Sequence, residues 1–537
     1  MGIPSYFSYI VKNHPEILQK YIHAQLSIHN LYMDCNSIIY DAYYGMTSEE
    51  KQKDIAKHLI QKVIVKIDEY IDIIQPSDTV IIAFDGVAPV AKLDQQRTRR
   101  YKSWFQSKIT NAIFDKEEEI WSTTAITPGT GFMKLLNTGI TKHFQNKATA
   151  TNIIISTTDE AGEGEHKIFQ YIRDNYDKHK ESNTVIYGLD ADLIMLSINH
   201  LHICNHIYLF RETPEFIKSI NTDLEPEESY VLDIPHLAKN IVIDMMGLIP
   251  TSPSLHNGRL HDYIFLCFLL GNDFLPHFPA LNIRTGGIDK ILEHYRNTLG
   301  KTDKCIIRTT QNGESNKIIW KNLRVVITSI TQCEPNYIRS ELELRNKREK
   351  RYQYQECNTP ETKYDKFQNI PCYERTIEKH IHPDDSAFRY KYYTTLFHIE
   401  PDDMRIQQIC RNYLEGLEWT FQYYTTSCPD WNWAYKYQYP PLLQDLIQHI
   451  PYFDTQFIAD NQNSPVSPYV QLCYVLPCKN LSLLPHKIYS RVLKSCPEYY
   501  PEHCDFTWAF CRYFWEAHAN LPDIDISVLK RIVDGTI

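Results

Sequence analysis

No CxxC pair occurs among the 14 cysteines of this 537-residue chain. Near neighbours such as Cys473 and Cys478, or Cys504 and Cys511, lack zinc-ribbon spacing, and scattered thiols of this kind point to a reducing compartment. No apolar run is long enough to cross a bilayer; the longest, Tyr263 to Leu270, falls far short. The N-terminal MGIPSYFSYI has no basic stretch followed by an apolar one, which excludes a secretory signal. Gly2 is a poor myristoylation cue, because residue 6 is Tyr rather than Ser or Thr. There is no internal repeat and no low-complexity tract. Positive charge is not in excess either: the net charge is −10, the wrong sign for a protein that coats long duplexes. A basic localisation cluster is missing as well, since Arg345 to Arg351 is interrupted by acid and reads as a solvated helix. These absences point to an intracellular protein with no membrane segment; it is expected to be a monomer, in the cytoplasm rather than the nucleus. Rich Ile, Asn, Lys and Tyr usage points to an A/T-rich genome, a parasite's or a large virus's, and for a virus the compartment would be the host cytoplasm.

What is present is an ordinary globular balance, 43% apolar and 23% charged. The chain is rich in aromatics, with 37 Tyr, 22 Phe and 8 Trp, which serve as core or as stacking faces for bases. In the first half, short β-type runs (Leu31 to Met33, Thr79 to Phe84, Asn152 to Ser156, Thr184 to Leu189) alternate with amphipathic stretches such as His58 to Ile74 and Lys167 to Tyr176. That alternation predicts an α/β fold with a mostly parallel sheet. Composition divides the chain into three. Residues 1–325 carry the α/β pattern, 326–385 read as a charged helix (Arg339 to Arg351) and a polar linker, and 386–537 form a mainly helical second region packed around the first.

Acidic residues follow each apolar run. Asp34 follows the first, Asp85 the second, Glu163 and Glu165 the third, and Asp190 and Asp192 the fourth. Strand ends on one edge of a parallel sheet converge on a crevice, so these carboxylates are expected to collect there. Clustered carboxylates repel and stay ionised only with cations among them, and hard oxygen ligands select Mg²⁺ or Mn²⁺. Two such ions about 4 Å apart make the usual clamp for phosphodiester hydrolysis. Asp273, in the Gly-Asn-Asp turn of LLGNDFLPH, is a seventh candidate ligand. Taken singly, an Asp after a strand is usually a helix cap or loop residue, and it is the conjunction of these acids in one α/β half that points to a site.

Directly after Asp85, Lys92, Gln96, Arg99 and Arg100 fall at i, i+4, i+7 and i+8, one face of a helix. Such a face makes a compact phosphate socket, with Arg offering two parallel hydrogen bonds. A socket for a terminal phosphate beside the metal site makes an exonuclease, and a small closed one rejects a cap or a triphosphate.

The stretches MGIPSYF, LYMDCNSIIY, AFDGVAPVAKLDQQRTRR, ITPGTGFM, GEGEHKI, YGLDADLIML and LLGNDFLPH closely resemble, in order, the eukaryotic 5′→3′ exoribonuclease (XRN) family. WNWAYKYQYPPLLQDL and YVQLCYVLP resemble that family's second homology region. The resemblance implies a nuclease domain of the PIN and flap-nuclease type and two-ion hydrolysis of 5′-monophosphorylated single-stranded RNA, processively, to 5′-mononucleotides in RNA decay. It implies Asp34, Asp85, Glu163, Glu165, Asp190, Asp192 and Asp273 as metal ligands and Lys92, Gln96, Arg99 and Arg100 as the 5′-phosphate pocket. It also implies a base stacked between an aromatic at position 40, Tyr40 here where the family has His, and a Trp that is either Trp433 or Trp431. The chain reads as a compact form lacking the C-terminal extension of the large cytoplasmic members. Two rivals stand beside this reading: a structure-specific DNA flap nuclease, and a catalytically weak protein that binds RNA 5′ ends.

Overall fold

The runs TVIIA, NIIIS and NTVIY, rich in β-branched residues, and the apolar run NLYMD with its central Tyr32 become strands because β-branched and aromatic side chains pack well on a pleated surface. In the computed structural model they are β2 (Asn30–Asp34), β3 (Thr79–Ala83), β4 (Asn152–Ser156) and β5 (Asn183–Tyr187). With β1 (Leu18–Lys20), β6 (His206–Glu212) and β7 (Ser229–Asp233) they form one seven-stranded sheet of order β1-β7-β6-β5-β2-β3-β4. Strands β2 to β6 are parallel, while β7 and β1 add an antiparallel edge. The structure describes residues 3–21, 27–52, 54–116, 121–147, 151–213, 215–225, 228–250, 252–309, 316–459 and 463–535; Gly2 lies outside them.

Alternation along each strand divides the core between the two faces of the sheet. Tyr32, Ile81 and Ile186 point to one apolar cluster, and Leu31, Met33, Val80, Ile82 and Val185 to the other. The second cluster is closed by the Ile55–Ile74 and Gly131–Gln145 helices. The first is much larger. It takes in the Pro253–Cys267, Trp320–Thr331 and Asp403–Thr425 helices and runs on to Phe510, so the helical region is joined to the sheet through a shared core.

The reading of Arg345 to Arg351 as a solvated helix holds for Lys347, Lys350 and Arg351, which are exposed, and needs correction at Arg345 and Glu349. The Glu334–Gln353 helix carries Arg345 only 4% exposed. The guanidinium donates to Glu341 at 3.0 Å, to Glu378 at 2.9 Å and to the Cys511 carbonyl at 2.9 Å. Glu341 and Glu378 let this charge be buried, while the acid that interrupts the basic run, Glu349, is itself buried and paired with Arg375 at 3.1 Å and with Lys379. The segment expected to be a linker is also ordered into short helices, Pro360–Gln368, Ile370–Tyr373 and Thr376–His380, the last of which supplies Glu378. Among the described residues no helix is long and apolar enough to cross a membrane, and all 14 cysteines are free.

Candidate active site

From β2 the chain moves outward to β3 and β4, then returns to lay β5 on the other side of β2. The order of strands reverses there, and a crevice opens beyond the C-terminal ends. Asp34 is the last residue of β2, Asp85 follows β3, and Glu163 and Glu165 begin the Gly164–Asp174 helix after β4. Asp190 follows β5, and Asp192 opens the Asp192–Asn199 helix. One cavity of about 490 Å³ is lined by Asp34, Asp85, Glu163, Glu165 and Asp190 together with Lys92, Gln96, Arg99, Arg100 and Tyr40. Asp192 lies buried just behind it, and Asp273 reaches it through Lys92.

Individual acids are held in place by the chain around them. Asp85 accepts from the Asn36 amide and, at 2.7 Å, from the Gly164 N–H at the start of its helix, where the backbone favours negative charge. Glu163 accepts from the Tyr423 hydroxyl at 3.0 Å. Gly86 has no room for a side chain, because a Cβ would lie 1.7 Å from the Glu160 carbonyl oxygen. This close approach seats the loop after β3 against the one after β4.

Lys92 does more than line a phosphate socket. Its ammonium bridges Glu163, at 2.6 Å, and Asp273. Burial opposes that charge, but Asp273 and Glu163 outweigh it and hold the amine protonated well above the ordinary lysine range. The free basic face is therefore Gln96, Arg99 and Arg100, all half-buried. Arg100 donates to the Thr127 hydroxyl at 2.8 Å and keeps its Nε without a partner. On the opposite side of the same Val90–Phe114 helix, Arg97 donates to the Pro522 and Tyr499 carbonyls at 2.6 and 2.9 Å, which ties the helix to the C-terminal region.

The remaining acids strain against each other. Burial, followed by Asp85 and Asp190, pushes the Asp34 carboxyl well up. Burial, followed by Asp192 and Asp190, does the same to Glu165. Burial with Asp190 and Asp273 carries Asp192 to about 7. Asp34 Oδ1, Glu165 Oε2 and Asp192 Oδ1 are buried with no hydrogen-bond partner. A Cβ on Gly164 would fall 2.6 Å from that same Asp34 oxygen, so only glycine leaves this space open. Among the described residues no three His, Cys, Asp or Glu side chains are already closed into a metal cage. Oxygen-only donors, partly orphaned and mutually repelling, are nevertheless the donor set that hard divalent cations take.

The two tryptophans stand elsewhere. Trp433 is buried against Trp419, ring on ring at 5.2 Å and 23°, in the core of the helical region. Trp431 lines a separate cavity of about 370 Å³ behind the Gly162–Lys167 segment, and its carbonyl accepts from the Val90 N–H at 3.0 Å. Neither lines the carboxylate cavity. Tyr40 does, half-buried on its wall.

Sequence reasoning passed over Arg211, Asn36 and Tyr423. Arg211 comes off β6 and lines the cavity near Asp190, with its guanidinium 3.7 Å over the Phe7 ring. The run HIYLFRE from His206 to Glu212 is β-type and ends in a charge, like the four strands that were read, and would have revealed it. Asn36 sits two residues beyond Asp34, but nothing local shows that it reaches Asp85. Tyr423 is one aromatic among many on an apolar helix.

Residues 1–213 match the family model of the XRN 5′-3′ exonuclease N-terminus, and residues 257–384 and 373–534 match that of the Xrn1 helical domain. Among similar proteins, 5′-3′ exoribonuclease 1 of Homo sapiens is 29% identical over 98% of this chain and 33% of its own length. The 5′-3′ exoribonuclease 1 of Saccharomyces cerevisiae is 26% identical over 90% of this chain and 40% of its own. The 5′-3′ exoribonuclease 2 homolog of Drosophila melanogaster is 24% identical over 98% and 70%. The chain thus spans less than half the length of two of these three relatives. With one model matching six of the seven strands of the sheet and the other most of the helical region, the chain belongs to the XRN 5′-3′ exonuclease family.

Proposed function

We propose that this chain is a 5′→3′ exoribonuclease that binds single-stranded RNA by its 5′-monophosphate and removes mononucleotides one after another, in cytoplasmic RNA decay. One observation carries the reading: a single cavity gathers strand-end carboxylates and the face of Gln96, Arg99 and Arg100. Asp34, Asp85, Glu163, Glu165, Asp190, Asp192 and Asp273 would hold divalent cations, Mg²⁺ or Mn²⁺ and two in number. Bound there, the cations supply positive charge to the phosphodiester and acidify an attacking water. The chain itself does the positioning. Arg99 and Arg100 pair with the terminal phosphate, and Gln96 hydrogen-bonds beside them. The Arg97 anchor keeps their helix still. Tyr40 offers an aromatic face to the first base. Asn36 and Tyr423 hold Asp85 and Glu163 in orientation. A socket that holds the terminal phosphate beside the acids would fix cleavage at the first linkage.

The test is one RNA with 5′-monophosphate, 5′-hydroxyl, 5′-triphosphate or capped ends, incubated with magnesium beside matched DNA. Mononucleotides should leave the monophosphate RNA at least about tenfold faster than the others, as the loss of one charge-assisted pair implies. Equal cutting of all RNA ends would remove the socket from the mechanism. Preference for flapped DNA would replace the reading with a structure-specific DNA nuclease.

A second expectation concerns pH. The raised carboxyls of Asp34, Glu165 and Asp192 bind more protons in the folded chain than in the unfolded one between about pH 4 and 7, so their own contribution to stability falls as pH rises through that window. Buried histidines such as His166, His200 and His261, held below their ordinary pKa by burial, act in the opposite sense. The acids are isolated by the cation: the gain in Tm from Mg²⁺ over EDTA is expected to be larger at about pH 8 than at about pH 5.5, because the cation favours the ionised forms. A gain that does not grow over that range would contradict the crowding of the acids.

A further inference from the structure

Beyond the Lys92–Asp273 bridge lies a second cavity, of about 360 Å³. Ser5 lines both cavities, and Asp273 lines the second. The Val90–Phe114 helix serves the two from adjacent stripes. Gln96, Arg99 and Arg100 face the first, while Gln95 and Lys102, seven residues apart, face the second. We propose that this second cavity binds a nucleoside 5′-monophosphate, with its base against Trp515 and its phosphate toward Lys102.

Among the described residues, buried polar atoms on its walls without a partner include Asn272 Nδ2, Gln95 Oε1, His277 Nε2 and the Tyr439 hydroxyl. Two of these orientations are set by the other end of the same amide. Asn272 accepts from the Phe274 and Leu275 N–H groups through Oδ1, both at 2.8 Å, so its NH₂ is left as a donor. Gln95 donates to Asp273 at 3.2 Å through Nε2, so its carbonyl oxygen is left as an acceptor. A fixed donor and a fixed acceptor on the wall of an otherwise mostly apolar cavity suit the edge of a heterocycle. An aliphatic or purely anionic ligand would leave at least one of them unpaired.

The aromatic wall is held in place. Trp515 is parallel to Tyr513 at 14°, with the Arg284 guanidinium 5.6 Å from its ring centre and Arg284 paired to Glu516 at 2.6 Å. The ring nevertheless stays 36% exposed. Lys102 donates to the Trp515 carbonyl at 2.7 Å, which leaves two N–H bonds for a phosphate. Asp273 and Glu516 would repel that phosphate if they were unpaired, but Lys92 and Arg284 neutralise them. The volume lies within the usual small-ligand range of about 300–1,000 Å³.

The choice of a nucleotide over another heteroaromatic anion rests on the nuclease reading, but the built cavity does not. The moiety has two sources: a mononucleotide just released next door, or nucleotides of the RNA strand itself. The experiment is calorimetric titration of the full chain with AMP, GMP, CMP and UMP in EDTA, so that hydrolysis plays no part. The parent is compared with Trp515→Leu, Lys102→Gln, Trp515→Phe and a socket variant, Arg99→Ala with Arg100→Ala. Binding should survive in the socket variant, weaken about tenfold or more in Trp515→Leu, as the loss of a base-stacking face implies, and return in Trp515→Phe. Binding lost only in the socket variant, or untouched by both Trp515→Leu and Lys102→Gln, would overturn the proposal whether or not the chain degrades RNA. Inhibition of RNA hydrolysis by free nucleotide that disappears in Trp515→Leu identifies the released product as the occupant. A raised KM for long RNA with unchanged inhibition identifies the strand.

Discussion

Replacing Asp190 and Asp192 together with alanine is expected to lower RNA hydrolysis by about 10³-fold or more while the chain stays folded. The size follows from what the acids would hold. A divalent cation on a reacting phosphoryl group supplies several kcal/mol of transition-state stabilisation, and each ~1.4 kcal/mol is a factor of ten. The sign of the stability change is less obvious and more telling. Deleting a buried polar residue usually destabilises, but here it also removes two carboxylates from a repelling cluster. Burial with Asp190 and Asp273 already lifts Asp192 to about 7, and Burial with Asp192 and Asp190 raises Glu165. Without divalent cations the double variant should melt no lower than the parent, and the parent should gain more from Mg²⁺ than the variant does. Rates within tenfold of the parent would take these two acids out of the mechanism. Loss of RNA hydrolysis in the parent too, with 5′-end binding intact, would instead support the end-binding protein.

Lys92→Met tests the bridge. Methionine keeps the bulk of the stem but leaves Glu163 and Asp273 facing each other across a buried gap. Removing one partner of a buried charge cluster costs about 3–5 kcal/mol. The lysine's contribution is present below its raised folded pKa and is lost only as pH rises through it, so it holds across the neutral range. Denaturant unfolding in EDTA at neutral pH should show the loss, and Mg²⁺ should restore part of it by standing in for the ammonium. Equal stability of Lys92→Met and parent in EDTA would mean that the bridge is not charged. Activity is expected to fall as well, because Asp273 reaches the cavity through this side chain.

Four of the five parallel strands and the acids that follow them are legible because both signals are local. Short apolar runs rich in β-branched or aromatic residues make strands, and in a parallel sheet the chain just after a strand lies at the crevice edge whatever surrounds it. Asp34, Asp85, Glu163, Glu165 and Asp190 line one cavity for that reason. Strands β6 and β7 went unread, and Arg211 with them, although HIYLFRE carried the same kind of signal. The charged helix misled because a run of mixed charges looks alike whether water or Glu341, Glu378 and two backbone carbonyls surround it.

By itself the sequence determined which residues carry charge, how they are spaced along each strand and helix, and therefore which edge of the sheet gathers the carboxylates of the candidate site. Only the tertiary structure decided how those charges are shared. Lys92 is spent on Glu163 and Asp273, Trp433 is packed against Trp419, and Gln95 turns away from Gln96 toward a second cavity. The physical reason is range. Periodicity and turn chemistry act over a few residues, whereas the Lys92–Asp273 pair joins groups 181 positions apart, and Tyr423 reaches Glu163 across 260. Contacts of that separation exist only once the helical region has closed over the ends of the strands.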